Sequence, residues 1–264
     1  MQKTLKKYFP VFLLPTVIAF CIAFIIPFVT GLYLSFCDFT TVSNAKFVGF
    51  ANYIKAFSSS QRFGQAFGFT TLFTIISIIT VNIIAFTLAY LLTRKIKGTN
   101  FFRTVFFMPN LIGGIVLGYT WQSMINAVLA KYGTTLVADA KYGFIGLIIL
   151  MNWQMIGYMM IIYIAGLQNV PTELIEASKI DGATKWQTLR HVTIPMVMPS
   201  ITICLFLTLS NSFKLYDQNL ALTAGAPMHK TEMLALNIVN SFYGRSNFEG
   251  VGQTKAVMFF IIVA

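Results

Sequence analysis

The sequence predicts an all-α integral membrane protein, on three observations. The chain of 264 residues is 56% hydrophobic and 10% charged, with a mean hydropathy of +0.73. Soluble domains carry about 25% charged residues. Its charges are spaced so that they leave long uncharged windows, each exceeding the roughly 20 residues that a helix needs to cross a bilayer. Between the last two long windows lies a polar, helix-patterned run over residues 173–195 that does not suit a lipid interior.

The first span opens the chain. Lys3, Lys6 and Lys7 precede an uncharged run over residues 8–37. That run is twice the roughly 7–15 residues of a secretory h-region, and no A-x-A-like cleavage site follows, so it reads as an uncleaved span over about 9–36. The next windows hold 31 residues between Arg62 and Arg94, 27 between Arg103 and Lys131, 31 between Lys141 and Glu173, and 23 between Arg190 and Lys214. They place spans at about 67–92, 104–126, 143–167 and 196–215. A sixth span begins near Lys255, over 255–264, with too few residues to cross. The sequence therefore reads as a chain whose sixth span and short tail are incomplete.

Lysine and arginine density sets the orientation. The loop with Arg94, Lys95, Lys97 and Arg103 is short and strongly basic. With that loop inside, the N-terminus and the 173–195 run are also cytoplasmic. The net charge of +11 would suggest nucleic acid in a soluble protein. Here the basic residues flank spans and suit anionic headgroups, so the partner is membrane lipid and not nucleic acid. Cys21, Cys37 and Cys204 are odd in number and lack metal-ligand spacing, and His191 and His229 have no HExxH-type context. No metal site is expected.

The polar run has its own punctuation. Pro171 suits a helix start, because its missing N–H would be unpaired there, and Glu173 lies at the positive end of that helix dipole. Asp181-Gly182 reads as a stop and turn. Thr184 with Gln187 fits a capping box that opens a second helix. Ile194 before Pro195 is pushed away from helical angles, so this second helix is expected to end near Thr193.

Glu176-Ala177-Ser178, Gly182, and Val192-x-Ile194-Pro195 resemble the EAA loop of permease subunits of binding-protein-dependent ATP-binding-cassette importers. The family pattern is E-A-A-x-x-x-G, nine residues, then I-x-L-P. The spacing matches throughout, with Ser178 for the second alanine, Val192 for isoleucine and Ile194 for leucine. Asp181-Gly182-Ala183 resembles the carbohydrate branch. Three further segments resemble sugar permeases: Phe47-Val48-Gly49 with Asn52-Tyr53, Arg103 with Phe107-x-Pro109, and Leu222-Thr223 with Gly225-Ala226-Pro227, where Ala226 replaces a glycine. The first and last of these point to the F-like member of a maltose-type pair.

The resemblance implies a six-transmembrane-helix ABC importer permease bundle, a single domain over residues 1–264, with a coupling loop at 171–195. It implies Glu176, Ala177, Ser178, Asp181 and Gly182 as the ATPase-coupling positions. It also implies a second permease, two ATP-binding subunits that bind ATP and magnesium, an extracellular sugar-binding protein, and a bacterial plasma-membrane location. This chain has no G-x-x-x-x-G-K-[ST] phosphate loop, so no cofactor and no ATP hydrolysis of its own are expected.

A sugar path needs polar and aromatic groups within the bundle, where polar side chains face an interior or a water-filled cavity. The fourth span offers Asn152, Trp153, Gln154 and Tyr158, and the fifth with its outer end offers Asn211, Ser212, Lys214, Tyr216 and Asp217; Trp121 and Gln122 end the third span, and Asn82 lies within the second. Ser210, Asn211 and Lys214 share a helical face by their spacing. Trp153 is equally suited to an interfacial anchor, and Lys214 and Asp217 to a surface ion pair. The alternative function is a secondary transporter or channel acting without ATP, which would need its own coupling-ion site. A membrane-embedded enzyme would need a nucleophile or metal constellation.

Overall fold

The computed structural model describes residues 2–94 and 97–263. Lys95 and Ala264, used above for orientation and for the sixth span, lie outside the described residues, as do the side chains of Lys3, Lys6 and Lys7. The chain divides into two compact units.

The first unit comprises Met1–Phe63 and Asn237–Ala264. Helix α1 (Gln2–Phe20) carries Pro10 and Pro15 and passes through a π turn (Cys21–Ile25) into α2 (Ile26–Leu34). Together they give an apolar helix of 26 residues, Phe9–Leu34, long enough to span. A two-residue hairpin follows, β1 (Cys37–Asp38) against β2 (Lys46–Phe47), antiparallel with Cys37 opposite Phe47. Helix α3 (Ala51–Ala56) comes next. Its Asn52 is buried and donates to the carbonyls of Cys37 at 2.8 Å and Ser35 at 3.3 Å. Tyr53 bonds the Ser35 hydroxyl at 2.8 Å. The Phe47-Val48-Gly49 segment with Asn52-Tyr53 is thus a polar bracket for the chain leaving α2, with Phe36, Phe47, Phe50 and Tyr53 clustered around it.

The last helix of this unit, named α13 below, spans Glu249–Val263, starting six residues before the boundary read from Lys255. Lys255 is not a headgroup-facing flank. It is wholly buried, and its ammonium donates to Ser241 Oγ at 2.7 Å, Asn237 Oδ1 at 2.9 Å, Gln61 O at 3.1 Å and Gln61 Oε1 at 3.3 Å. A buried cation needs such a shell, and these acceptors sit on separate stretches of chain that the charge pattern does not bring together.

The second unit, Gly64–Leu236, holds the larger core. Helix α4 (Phe63–Leu92) buries Ala66, Thr70, Phe73, Ser77, Val81, Ala85 and Ala89 at steps of three and four. Leu72, Ile75, Ile79 and Ile83 form its exposed stripe. Such a division is that of a span packed on one side and lipid-facing on the other. The third uncharged window is not one helix. It forms α5 (Thr99–Phe107), a 3-10 turn (Met108–Leu111) and α6 (Gly114–Leu129), with a bend of 102° between the two parts. Pro109 lacks an N–H for the helix ladder, and Ile112 and Gly113 are extended, so helical bonding restarts only at Gly114.

Helix α7 (Ala140–Gln168) is the most buried of the long helices, with Leu147, Leu150, Met151, Met155, Met159 and Tyr163 in the core. Its Gly157 is where α5 crosses, since a Cβ there would collide with the Phe106 carbonyl. The loop helices α8 (Thr172–Ile180) and α9 (Lys185–Thr188) lead through a π turn (Leu189–Thr193) into α10 (Ile194–Phe213). Helix α11 (Asp217–Leu222) packs on α6, where Gly118 leaves room for Ala221. Helix α12 (Leu234–Tyr243) leads into α13 (Glu249–Val263).

Among the described residues, four helices are long and apolar enough to span: Phe9–Leu34, Phe63–Leu92, Ala140–Gln168 and Lys185–Phe213. The bent pair α5 and α6 makes five if it counts as one span.

Candidate functional site

The polar loop is built as two short helices around a glycine. Pro171 sits at the cap of α8 in extended angles (φ −59°, ψ 131°), and Glu173 lies in the first turn. At the other end the Gly182 N–H bonds the Lys179 carbonyl at 3.1 Å and the Ala183 N–H bonds the Ser178 carbonyl at 2.9 Å, a Schellman closure. It requires a left-handed residue, and Gly182 has φ +78°. Nothing lies within 4 Å of a Cβ built there, so the demand for glycine comes from the backbone angle and not from a neighbour. The capping box forms, with the Thr184 N–H on Gln187 Oε1 at 2.8 Å and the Gln187 N–H on Thr184 Oγ1 at 3.3 Å.

The expected break before Pro195 does not occur. Ile194 is helical (φ −59°, ψ −47°), and residues Lys185–Phe213 run as one helix of 29 residues. The π turn just before Pro195 shifts the hydrogen-bond ladder, with the Ile194 N–H on the Leu189 carbonyl, and the helix runs on through the proline.

Glu176, Ala177, Asp181 and Gly182 are exposed on this loop, whereas Ser178 is buried. The Ser178 hydroxyl donates to the Ile175 carbonyl at 2.8 Å and pairs with the Thr188 hydroxyl at 2.9 Å, tying α8 to the second helix. Ser178, Asp181, Gly182, Gln187, Thr188 and His191 line a hollow of about 350 Å³. Three large apolar side chains stand out of this polar loop: Ile180 at 86% exposure, Trp186 at 66% and Leu174 at 44%. The motif alone did not single them out. The signal was present as apolar residues on a surface helix with no apolar partner in register.

At the other end of α10 lies a polar cavity of about 280 Å³. It brings together Gln154 from α7, Asn211 and Lys214 from the end of α10, and Asp217 and Gln218 from α11. Asn110 and Tyr216 join them from the turn after α5 and the junction before α11. The Gln218 amide donates to Gln154 Oε1 at 2.7 Å. The approach of α11 depends on Gly114, because a Cβ there would lie 2.7 Å from the Asp217 Cβ. Lys214 and Asp217 are both exposed, and among the described residues they form no ion pair with each other. Tyr216, offered with the outer end of the fifth span, does line this cavity, whereas Asn110, in the proline entry to the third span, and Gln218, beyond the fifth, are not singled out by polarity within the fourth and fifth spans.

Four of the residues offered on the fourth and fifth spans are elsewhere. Asn152 is buried against α4 and donates to Thr80 Oγ1 at 2.9 Å. Trp153, one residue on, faces away from the core at 42% exposure with its ring edge-on to Trp121. Tyr158 is half-buried against the main core. Ser212 is buried and donates to the Thr208 carbonyl at 2.6 Å. Successive positions on a helix lie about 100° apart, so only Gln154 of the Asn152–Gln154 triplet reaches the cavity.

Residues 99–264 match the family described as the binding-protein-dependent transport system inner membrane component. A permease protein assigned to a starch degradation products transport system in Thermoanaerobacterium thermosulfurigenes is 43% identical over 261 residues, covering 96% of this chain and 89% of its own. The multiple sugar-binding transport system permease protein of Streptococcus mutans is 32% identical, covering 100% of this chain and 94% of its own. A solved bacterial alginate ABC transporter, in complex with an alginate pentasaccharide-bound periplasmic protein, superposes with a TM-score of 0.80 at 20% identity over 100% of this chain and 94% of its own. At that identity the superposition carries the fold. The chain therefore belongs to the inner membrane components of binding-protein-dependent transport systems, the permease subunits of ABC importers.

Proposed function

We propose that this chain forms half of the translocation path of an ATP-driven importer of sugars, most simply oligosaccharides, and couples that path to separate ATP-binding subunits. The observation that supports this reading best is the course of one helix. Lys185–Phe213 begins in the loop of two short helices and carries Asn211, in its last turn, to the wall of the polar cavity. A displacement imposed on the loop is therefore delivered along a single rod to the cavity wall.

The cavity suits a hydroxyl-rich solute. Asn110, Gln154, Asn211 and Gln218 carry amides that both donate and accept, Tyr216 adds a phenol, and Lys214 and Asp217 add one charge of each sign. Its volume of about 280 Å³ lies just below the roughly 300–1,000 Å³ of small-molecule sites, which suits one sugar ring at a time. In the loop, Glu176 and Asp181 offer carboxylates to basic groups of an ATP-binding subunit. Ala177 keeps the helix surface low, Gly182 and Ser178 fix the turn, and Ile180 and Trp186 supply the apolar contact. On this reading the loop and the N-terminus are cytoplasmic. A second permease completes the path, two ATP-binding subunits hold ATP and magnesium, and an extracellular binding protein delivers the sugar.

The test is uptake by proteoliposomes holding this chain, its co-purifying subunits and a cognate binding protein. Accumulation of a labelled maltooligosaccharide that requires ATP on the loop side supports the reading. Transport by this chain alone, without ATP, would establish the secondary transporter instead.

A further inference from the structure

The bundle of the second unit contains a buried hydrogen-bond cluster that neither the cavity nor the loop uses. Tyr163 on α7 donates its hydroxyl to Asn82 Oδ1 at 2.7 Å. The amide nitrogen of Asn82, on α4, donates to Thr208 Oγ1 on α10 at 3.2 Å and to the Ile78 carbonyl at 2.8 Å. Thr208 Oγ1 in turn donates to the Cys204 carbonyl at 2.7 Å. Thr208 is wholly buried, Tyr163 is 1% exposed and Asn82 8%. Three spans thus meet at one amide side chain, whose donor and acceptor sides are both engaged.

The neighbours of this cluster are apolar. Val81, Ala85, Met159 and Cys204 are buried, and Phe86 meets the Tyr163 ring edge-on at 5.4 Å. Along α7 the seam is rich in methionine, with Met151, Met155, Met159 and Met160 all buried. Such side chains repack readily and specify register weakly. A polar cluster in an apolar seam specifies it strongly, because a slip of one residue would leave several polar groups unpaired in a medium without water. The cavity wall is shared by α7, through Met151, Gln154 and Met155, and by α10, through Asn211. A push on α10 alone would shear that wall, whereas a push on α10 clasped to α7 and α4 would move it intact.

We infer that the hydrogen bonds among Tyr163, Asn82 and Thr208 are a clasp that makes α4, α7 and α10 move as one body, and so fix how tightly ATP consumption is tied to solute movement. This rests on the importer reading proposed above. The three are positioning residues: none lines the polar cavity or the loop hollow, and a third hollow, which Asn82 and Tyr163 do line, is walled mainly by Ile83, Phe86, Ile194 and Ile201.

The test measures sugar uptake and ATP hydrolysis together in proteoliposomes of the whole complex, for wild type, Tyr163→Phe and Thr208→Val. Each substitution removes one hydroxyl and keeps the side-chain shape. The expected result is that ATP consumed per sugar rises at least about fivefold in each variant while hydrolysis stays within about twofold of wild type. Uptake and hydrolysis falling in parallel, or a ratio equal to wild type, would overturn the clasp. A wild-type complex that shows no ATP-dependent uptake would overturn the importer reading itself, so the two failures are distinct.

Discussion

Ile180 gives the sharpest prediction about the loop. It closes α8 just before the Asp181-Gly182 turn and is 86% exposed, in a helix whose other exposed positions include Glu173, Glu176 and Lys179. If this surface docks on an ATP-binding subunit, the side chain goes from water into the interface. Ile180→Ala removes three carbons, and at roughly 0.8 kcal/mol per buried methylene the loss is about 2 kcal/mol. At 1.4 kcal/mol per factor of ten, affinity for the ATP-binding subunit falls about 30-fold. The stability of the isolated permease should stay within roughly 0.5 kcal/mol of wild type, because the side chain has little to lose in the free chain. Nanodiscs holding the permease pair, titrated with labelled ATP-binding subunit, measure the first quantity, and thermal unfolding in detergent the second. Unchanged affinity would refute the docking role, and a large drop in melting temperature would show that Ile180 belongs to a core.

Further outcomes follow from the cavity, the buried lysine and the helix crossing. Asn211→Ala removes one amide from the cavity and should weaken uptake at subsaturating sugar about fivefold, the worth of about one hydrogen bond, with the ATP-binding subunits still co-purifying. Identical uptake kinetics would remove Asn211 from the path. Lys255→Met keeps the buried stem but strips the ammonium from Gln61, Asn237 and Ser241. Buried oxygens of these residues then lack that donor, so the detergent-purified chain should be destabilised by on the order of 3 kcal/mol, read as a lowered melting temperature, and an unchanged one would contradict the acceptor shell. Gly157→Val places side-chain atoms against the Phe106 carbonyl, a backbone group that cannot swing aside. The cost is about 1–3 kcal/mol or more, checked as loss of the folded chain from the membrane fraction, and normal yield and melting would refute the crossing.

The sequence made the long helices legible because charge is costly in lipid, so the gaps between charges locate α4, α7 and α10 to within a few residues. The loop was legible for a different reason. Its turn chemistry is local, and Asp181-Gly182 and the Thr184–Gln187 box formed where their residue types demand. What failed was non-local or depended on a ladder shift. Pro195 reads as a stop, yet a π turn upstream absorbs it. Pro109 with Gly113-Gly114, inside a window read as one span, breaks it into two helices. Lys255 reads as a span flank because hydropathy weighs its charge and is blind to the acceptors on Gln61, Asn237 and Ser241 that surround it. In the cavity, Gln154, Asn211, Lys214, Tyr216 and Asp217 are legible from their polarity and, for Asn211 and Lys214, from a shared helical face, whereas polarity alone does not give the helical phase that turns Asn152, Trp153, Tyr158 and Ser212 elsewhere.

The central claim is that residues 171–195 are the contact through which separate ATP-binding subunits drive this permease. It is tested most directly by purifying the tagged chain in mild detergent and identifying the proteins that come with it by mass spectrometry, for wild type and Glu176→Lys. Glu176 is exposed, so its charge reversal should leave the permease folded. The account predicts that wild type brings a second permease and an ATP-binding subunit, and that Glu176→Lys keeps the permease partner and loses the ATP-binding subunit. An ATP-binding subunit retained at wild-type level by Glu176→Lys, or a wild-type chain that purifies alone and carries solute without ATP, would contradict it.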